Sequence, residues 1–586
     1  MLQELFGKSV NDIKGTDIVP ALFLLVGIAL VNAYFFFDMS NQWIFWSSFV
    51  VSCGAVGIIL VGRGNERMKL LALVAFAAAY HIAPLLRGGG IGISGRLIYS
   101  PDETYQQQLG SLVFENGAWK VNMGTGPARL YSLYPVMPIL SAIVSNIVGS
   151  NAGFVYFSTL TLPVLTAVLP LVFYLKAIEP LVGDRNWALL STYIFSLNEQ
   201  FLFFDSAYSY ESLGIIFFTA IFFLLLRRFR GSGKMLLSLM ILALTFTHFW
   251  TDLNLVLFLG IFFITPFILR SFHGRGAFPD SFVLRPTGFT IAIAGALFLA
   301  YTALVAQIYL SRYGAEFAFV LLNLLETPRR LQPQTTFLST AEIVLIIIGQ
   351  AVLVAYGARG FLTRKSGPSS FLKLIFLMGG TYLVTILFGL PGSVARPILH
   401  RGFFFAFMTI APVVAWTMNR STRRARQLKA LLLVLTIVSV ILMQDPGWFR
   451  NPDFVATDSQ ISAGTWASRY VMFGQSFLSM EVVSDTFGAY GRMENIAARE
   501  PFFSNRSLIV SALVQGQACS ILVPYGGHYV AVSSTTDDWL LRYYVERYYP
   551  LPGKQYVAAT LQELGGGPSF NRVFNAGFIS LYYASC

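Results

Sequence analysis

Charged residues are scarce in this chain of 586 residues. Asp, Glu, Lys and Arg make up 12% of it, while 55% is apolar and 15% is aromatic. A typical soluble domain is about 25% charged. So little charge leaves too little polar surface to cover a water-soluble protein, which excludes soluble, disordered, collagen-like and coiled-coil classes. The composition indicates an integral membrane protein that crosses the bilayer many times.

Cysteine is scarce as well, with Cys53, Cys519 and Cys586 as the whole complement. Three cysteines form neither a disulfide framework nor a thiolate metal site. Cys53 lies in an apolar run and is expected in the core. Cys519 and Cys586 can pair only if they face an oxidising compartment, and the sequence leaves this open.

Long apolar runs dominate the first three quarters of the chain. The first run has no small-residue cleavage site and is followed at once by a second, so it is not a signal peptide. We predict about thirteen membrane-spanning helices from runs of suitable length. They cover residues 18–37, 43–62, 68–86, 153–175, 187–204, 210–226, 235–250, 253–269, 287–310, 341–358, 371–390, 402–418 and 429–444.

The net charge is +12, and its meaning depends on where the cations lie between these apolar runs. If the N-terminus is cytoplasmic, the inner loops hold most of the Lys and Arg, as the positive-inside rule requires. The charge therefore indicates topology, and no nucleic-acid partner is expected. This topology predicts a multi-pass protein of the cell (plasma) membrane with its C-terminal region outside the cytoplasm.

The chain is predicted to contain two domains, with a fold that is mainly α-helical. Residues 1–444 form the transmembrane domain, which carries a long outer loop at 87–130, and residues 445–586 form an extracytoplasmic α/β domain. In the second domain, helical spacing at 461–473 predicts a helix. Short apolar runs predict strands at 480–484, 520–524 and 529–533.

The long outer loop contains an acidic pair, Asp102 and Glu103, directly after Pro101. Proline is favoured at the first position of a helix, and acids in the first turn complement the helix dipole. One interpretation is a well-capped surface helix. The other is a carboxylate at the membrane–water boundary that acts as a general base.

Further polar groups occur where predicted spans meet the outer face. Each one alone is explained as a helix cap, a packing residue or a cation in a wet loop. Together they place carboxylates, histidines and arginines on one side of the membrane, with few charges in mid-membrane, unlike an ion pathway. Arginine binds phosphate well, so the pattern favours chemistry on a phosphorylated amphiphile at the outer leaflet. The groups are Asp205, Tyr208, Tyr210, Glu211, His248, Thr251, Asp252, Arg329, Arg330, Arg396, His400 and Arg401.

Four segments resemble the integral-membrane glycosyltransferases of the GT-C superfamily. They are the acidic pair with Tyr99 and Tyr105 around it, the stretch 134–140 that leads through Val148 and Gly149, the segment 210–214 that opens a span ending in Arg227 and Arg228, and the His-containing stretch 242–251. Thirteen spans with an outer C-terminal domain are also similar to several families of that group. The chain lacks the WWDYG signature of oligosaccharyltransferases, which favours transfer of a single sugar over transfer of a whole oligosaccharide.

The resemblance implies an inverting glycosyltransferase that moves one hexosyl or pentosyl unit from a polyprenyl- or dolichyl-phosphate donor to a protein, glycan or lipid acceptor of the cell envelope. It implies Asp102 as the first choice of base and Glu103 as the second. Arg396 and Arg401 with His400 would bind the donor phosphate, and Arg329 with Arg330 is the alternative. The residues that would orient donor or acceptor are Tyr105, Asp205, Tyr210, Glu211, His248 and Asp252.

No cofactor is required by this pattern. Some members of the superfamily bind a divalent cation, and the acids allow weak binding of Mg²⁺ or Mn²⁺, although no spacing demands it. Two other functions stay open at this point. One is a transporter or flippase of lipid-linked saccharides, and the other is a non-catalytic membrane assembly subunit.

Overall fold

The structure is a computed structural model. It describes residues 15–37, 42–62, 65–83, 101–124, 128–149, 161–197, 210–227, 232–273, 284–307, 354–355, 357–358, 376, 379–380, 392–419, 458–472, 475–479, 493–496, 517–533, 562, 564, 570–576 and 579–586.

The described chain is mainly helical, with one small sheet near its C-terminal end, as the composition predicts. The helices are α1 Gly15–Phe36, α2 Gln42–Val61, α3 Glu66–Ile82, α4 Pro101–Asn116, α5 Ala128–Tyr131, α6 Val136–Val148, α7 Leu162–Val182, α8 Arg185–Ser196, α9 Tyr210–Arg227, α10 Ser232–Thr245, α11 Phe249–His273, α12 Leu284–Leu304, α13 Gly392–Asn419, α14 Asp458–Tyr470 and α15 Ala518–Leu522. The strands are β1 Ser476–Leu478, β2 Glu494–Asn495, β3 Gly527–Ser533, β4 Phe570–Ala576 and β5 Ile579–Ala584.

The chain divides into two compact units. The first, which we call the helical unit, comprises residues 1–84, 162–206 and 210–445. The second, which we call the mixed unit, comprises residues 85–161, 207–209 and 446–586. The segment that contains the predicted outer loop therefore belongs to the same unit as the C-terminal region.

Aromatic side chains build the core of the helical unit. The Tyr174 hydroxyl of α7 donates to the Met408 carbonyl of α13 at 2.9 Å. The Tyr193 hydroxyl of α8 donates to the Cys53 carbonyl of α2 at 2.7 Å, and Cys53 is buried as expected. Because both phenols are fully buried, these two bonds connect helices that are distant in sequence and satisfy groups that water cannot reach.

Most of the predicted spans fall on helices of this unit. Spans 18–37, 43–62 and 68–86 correspond to α1, α2 and α3, and the described part of the span predicted at 153–175 corresponds to α7. The spans predicted at 341–358 and 371–390 lie largely outside the described residues, and 429–444 lies wholly outside them. The total of about thirteen spans stays a prediction.

Two of the described helical stretches are long and apolar enough to cross a membrane, as judged by length and composition alone: Trp43–Val61 and Leu162–Val182. Other apolar stretches among the described helices are shorter, between 10 and 17 residues. Core helices of soluble proteins satisfy the same test, so length alone does not decide where these helices lie.

In the mixed unit, α4 begins at Pro101, as the proline predicts. Helix α6 follows at Val136–Val148 and was not among the predicted spans; it packs against α4. Gly110 of α4 faces Ser141 of α6 so closely that a Cβ at position 110 would lie 3.1 Å from the Ser141 Cβ. The glycine therefore allows the two helices to approach each other.

The five-stranded sheet of the mixed unit has the order β2-β1-β3-β5-β4. Strand β1 runs parallel to β2 and β3, whereas β5 pairs antiparallel with β3 and β4. Helix α14 covers one face, where Ala463, Ala467, Phe477, Ala531 and Leu581 form a buried cluster.

Two of the predictions for this region are confirmed and one is wrong. The predicted helix at 461–473 corresponds to α14, and the predicted strand at 529–533 corresponds to β3. The run 520–524 was predicted as a strand, but it contains α15 and a 3₁₀ turn, because a short apolar run has no periodicity that separates helix from strand. The strand predicted at 480–484 lies outside the described residues.

A disulfide joins Cys519 of α15 to Cys586, which follows β5. The pairing that the sequence left open is therefore formed. The two cysteines are 67 residues apart in sequence, so the bond connects the end of β5 to α15.

Candidate active site

The acidic pair lies in the first turn of α4. Asp102 and Glu103 occupy the second and third positions of this helix. From Tyr105 to Gly110 every side of the helix is buried, so the alternative of a surface helix is wrong for this part. Tyr105 packs with Leu109 and Ala128, and its ring lies 5.9 Å from that of Tyr131. The helix that carries the predicted base is therefore fixed inside the mixed unit.

The three glutamines that follow the acidic pair are all buried. Gln106 is 0% exposed, Gln107 7% and Gln108 5%. Gln108 lies against the turn at Gly124, whose φ of +91° and close contacts leave no room for a Cβ. Three consecutive glutamines cannot share one face of a helix, so α4 meets polar or apolar neighbours all round.

Gln106 is the exception among them. Both its amide nitrogen and its amide oxygen are buried, and neither has a hydrogen-bond partner within the part of the chain that the structure describes. Leaving a buried polar group unsatisfied costs about 1–3 kcal/mol. Sequence reasoning missed this residue, since the run of three glutamines did not show which of them lacks a partner.

A second group of predicted residues lies in the helical unit. Glu211 is in the first turn of α9, and His248 and Asp252 flank the start of α11. Gly214, one turn after Glu211, faces Thr251 so closely that a Cβ there would lie 3.1 Å from the Thr251 hydroxyl oxygen. The structure therefore brings the beginnings of α9 and α11 together.

His248 and Asp252 are both almost fully buried, at 2% and 1% exposure. The Nδ1 atom of His248 lies 2.7 Å from the Thr251 hydroxyl, which holds the imidazole ring in place. The Oδ1 atom of Asp252 is buried and has no hydrogen-bond partner among the described residues. A carboxylate oxygen in this state has capacity for a hydrogen-bond donor that the described chain does not supply.

The remaining predicted residues are less well placed. Arg396, His400 and Arg401 lie on α13. The first two are four residues apart, so their positions share one side of the helix, whereas Arg401 is one residue further and lies about 100° round from His400. Tyr210 is the first residue of α9. Asp205, Arg329 and Arg330 lie outside the described residues. Within the described residues, no group of three or more His, Cys, Asp or Glu side chains is arranged to hold a metal ion.

No family model matches the chain, and no curated protein matches it in sequence. Solved structures do match it. One is the Archaeoglobus fulgidus oligosaccharyltransferase tethered to an acceptor peptide that contains the NVT sequon, with a TM-score of 0.51, 12% identity, and coverage of 88% of this chain and 74% of that chain. Another is ArnT from Cupriavidus metallidurans bound to undecaprenyl phosphate, with a TM-score of 0.49, 11% identity, and coverage of 89% and 98%.

At such low identity the first of these matches shows the fold alone, and it agrees with the resemblance drawn from the sequence. The chain has the fold of the archaeal oligosaccharyltransferase.

Proposed function

We propose that the chain is an inverting membrane glycosyltransferase that moves a single sugar from a polyprenyl- or dolichyl-phosphate donor to an acceptor on the outer face of the membrane. The observation that carries the proposal is the acidic pair in the first turn of a buried, polar helix, in a chain with the GT-C fold. Transfer of one sugar is favoured because the chain lacks the oligosaccharyltransferase signature WWDYG.

In this function Asp102 acts as the general base. It takes the proton of the acceptor hydroxyl or amide as that atom attacks the anomeric carbon, and the bond from that carbon to the lipid phosphate breaks. Glu103 is the second choice for this role. The cations of α13, Arg396 and Arg401 with His400, neutralise the departing phosphate, with Arg329 and Arg330 as the alternative. Mg²⁺ or Mn²⁺ remains a proposed, weakly bound aid to the acids.

The substrate-orienting residues act by hydrogen bonding. Glu211, His248 and Asp252 supply buried polar atoms, of which the free oxygen of Asp252 is the best placed to receive a substrate hydroxyl. Tyr105 fixes α4, while Tyr210 and Asp205 keep the roles proposed from the sequence.

The apolar surface of the helices supports a membrane location. Large apolar side chains are exposed along α1, and Trp43 of α2, Ile147 of α6 and Leu304 of α12 are 77%, 79% and 77% exposed. A water-soluble monomer rarely exposes large apolar side chains on so many helices, whereas lipid covers them without cost.

Three observations support the proposed sidedness. The Cys519–Cys586 disulfide is typical of a compartment outside the cytoplasm. The predicted outer loop and the predicted outer C-terminal region belong to one compact unit. Arg185 lies 3.5 Å from Glu66, so two loops that this topology assigns to the cytoplasm contact each other.

The test is release of lipid phosphate by the purified full-length protein. It is incubated with undecaprenyl-phosphate-linked mannose, glucose or arabinofuranose and an envelope extract as acceptor, and free undecaprenyl phosphate is measured. We expect release from at least one donor, and a loss of about 100- to 10,000-fold in Asp102→Asn, the usual size of general-base catalysis.

Glu115→Gln is the matched control, since Glu115 is an exposed acid at the far end of the same helix. It should keep wild-type activity. Full activity in both Asp102→Asn and Glu103→Gln removes the assigned base. Movement of intact lipid-linked sugar across proteoliposomes without release points to a flippase instead.

A further inference from the structure

Gln106 combines complete burial with a side chain that has no partner. Its exposure is 0%, and neither its amide nitrogen nor its amide oxygen has a hydrogen-bond partner among the described residues. A primary amide in water makes hydrogen bonds at both atoms, so folding has removed these bonds without replacing them. An orphaned group of this kind in a folded protein requires an explanation.

The position of Gln106 on α4 gives that explanation. Residues four apart in a helix lie on the same face, so position 106 is one turn from position 102, and position 110 is one turn further. At Gly110, α4 lies close to α6, since a Cβ there would be 3.1 Å from the Ser141 Cβ. Gln106 therefore lies between the position of the proposed base and this close contact of the two helices.

Its two neighbours in sequence behave differently. Gln107 and Gln108 are also buried, but both take part in interactions within the protein. Burial of polar residues is thus general along this part of α4, whereas the lack of partners is confined to the residue one turn from Asp102.

We propose that Gln106 is a substrate-binding residue that holds a hydroxyl group beside Asp102. An amide offers one acceptor oxygen and an N–H donor, and a sugar hydroxyl offers the complementary O–H donor and oxygen acceptor. The inference rests on the proposed function. The hydroxyl belongs either to the donor sugar or to a carbohydrate acceptor, which share this chemistry.

The test uses Gln106→Met in the full-length protein. Methionine keeps the length of the side chain and removes both polar atoms. Without ligand, the thermal midpoint of Gln106→Met should equal or exceed that of the wild type, because no internal hydrogen bond is lost. Gln108→Met, the matched variant two residues further along α4, should have a lower midpoint because Gln108 takes part in interactions within the protein.

Kinetics then locate the hydroxyl. The kcat/KM of Gln106→Met should be about 10- to 100-fold lower than that of the wild type. A rise in the donor KM assigns the donor sugar, and a rise in the acceptor KM assigns the acceptor. A deoxy analogue that lacks the bound hydroxyl should be poor for the wild type but no poorer for Gln106→Met, since the two changes remove the same interaction.

Two results overturn the inference while the proposed function stands. One is wild-type kinetics in Gln106→Met, and the other is a fall in its midpoint as large as that of Gln108→Met. The latter would mean that an ordered water satisfies the amide as part of the structure.

The role of Gln106 can also be tested if the proposed transferase function fails. If the wild type releases no lipid phosphate, the shift of its thermal midpoint by the same three undecaprenyl-phosphate sugars is measured. A shift that Gln106→Met abolishes keeps the binding residue and rejects the transferase. No shift in the wild type, or an equal shift in both proteins, rejects the binding residue.

Discussion

Lys69 in the helical unit and Gln106 in the mixed unit are both long polar side chains that the fold buries, yet they differ in what surrounds them. The Lys69 ammonium donates to the Gly62 carbonyl and to the Asn186 side-chain oxygen, each at 2.7 Å. The Gln106 amide has no partner among the described residues. The first connects α3 to the start of α8, whereas the second connects nothing.

The difference teaches how to separate structural from functional polar groups in an apolar protein. Asn65 and Asp184 cap α3 and α8 beside Lys69, so that the whole group is satisfied by the chain itself. Such a group adds to stability, while an unsatisfied group costs stability and persists where another molecule supplies the missing bond. Asp252, with its unpartnered Oδ1, belongs to the second class although it lies in the helical unit.

The largest effect on stability is expected from the disulfide, a covalent connection with no counterpart in the described part of the helical unit. Cys586→Ser opens a loop of 67 residues in separation and should lower the free energy of unfolding by about 4 kcal/mol, since the unfolded chain regains entropy. Chemical denaturation of the wild type and the variant measures this. Cys53→Ala is the control, because Cys53 is not bonded to another cysteine and its loss opens no covalent loop. Equal stability in Cys586→Ser would contradict the structural role of the bond.

Asp252→Asn tests the rule that a buried polar group without a partner contributes to function and not to stability. The change keeps the shape of the side chain and replaces one carboxyl oxygen by an amide nitrogen, in a residue whose Oδ1 atom has no described partner. We expect lipid-phosphate release to fall about 100-fold, with the thermal midpoint unchanged or higher. The same two measurements decide it: a lower midpoint with normal release would make Asp252 a structural residue.

Lys69→Met tests the satisfied class. It removes two hydrogen bonds from a charged donor and leaves the Asn186 oxygen and the Gly62 carbonyl without it. The free energy of unfolding should fall by about 2–3 kcal/mol, and kcat/KM per folded molecule should stay unchanged. Lys120→Met, at an exposed position, is the control and should leave both quantities unchanged. A loss of activity without a loss of stability would place Lys69 in the functional class.

The smallest effect concerns the spacing of α4 and α6 beside Gln106. Gly110→Ala places a methyl group 3.1 Å from the Ser141 Cβ, so the helices must move apart by a few tenths of an ångström. We expect a loss of about 1 kcal/mol in stability, typical of mild overpacking. Gly54→Ala, where nothing lies within 4 Å of the added Cβ, should be neutral or stabilising. Equal behaviour of the two variants would show that the α4–α6 contact is loose.

The sequence predicts those features that depend on local chemistry. Pro101 sets the start of α4, and the long apolar runs predict α1, α2 and α9 within a few residues. Features that depend on distant partners could not be predicted in this way. Helix α6 was missed because Pro135 and Pro138 interrupt its apolar pattern, and the pairing of Cys519 with Cys586 requires knowledge of where α15 and β5 meet.

In the candidate site, too, local chemistry could be predicted from the sequence, whereas contacts with distant residues could not. The acidic pair is visible in the sequence because proline and acids are typical of a helix start. The sequence also contains Gln106, but it does not show that its neighbours have partners while it has none. That distinction depends on how α4 packs against the segments that follow it, and it becomes visible only with coordinates.

The contacts among α1, α2 and α3 have a consequence for assembly. Gly27 of α1 faces Ser52 of α2 with no room for a side chain between them, and the Tyr80 hydroxyl of α3 lies 3.3 Å from the same serine oxygen. Small residues at such contacts let helices associate within a bilayer. Because these three helices follow one another in sequence and contact one another, they can assemble before the later helices of the helical unit are synthesised, which gives those helices a surface on which to dock.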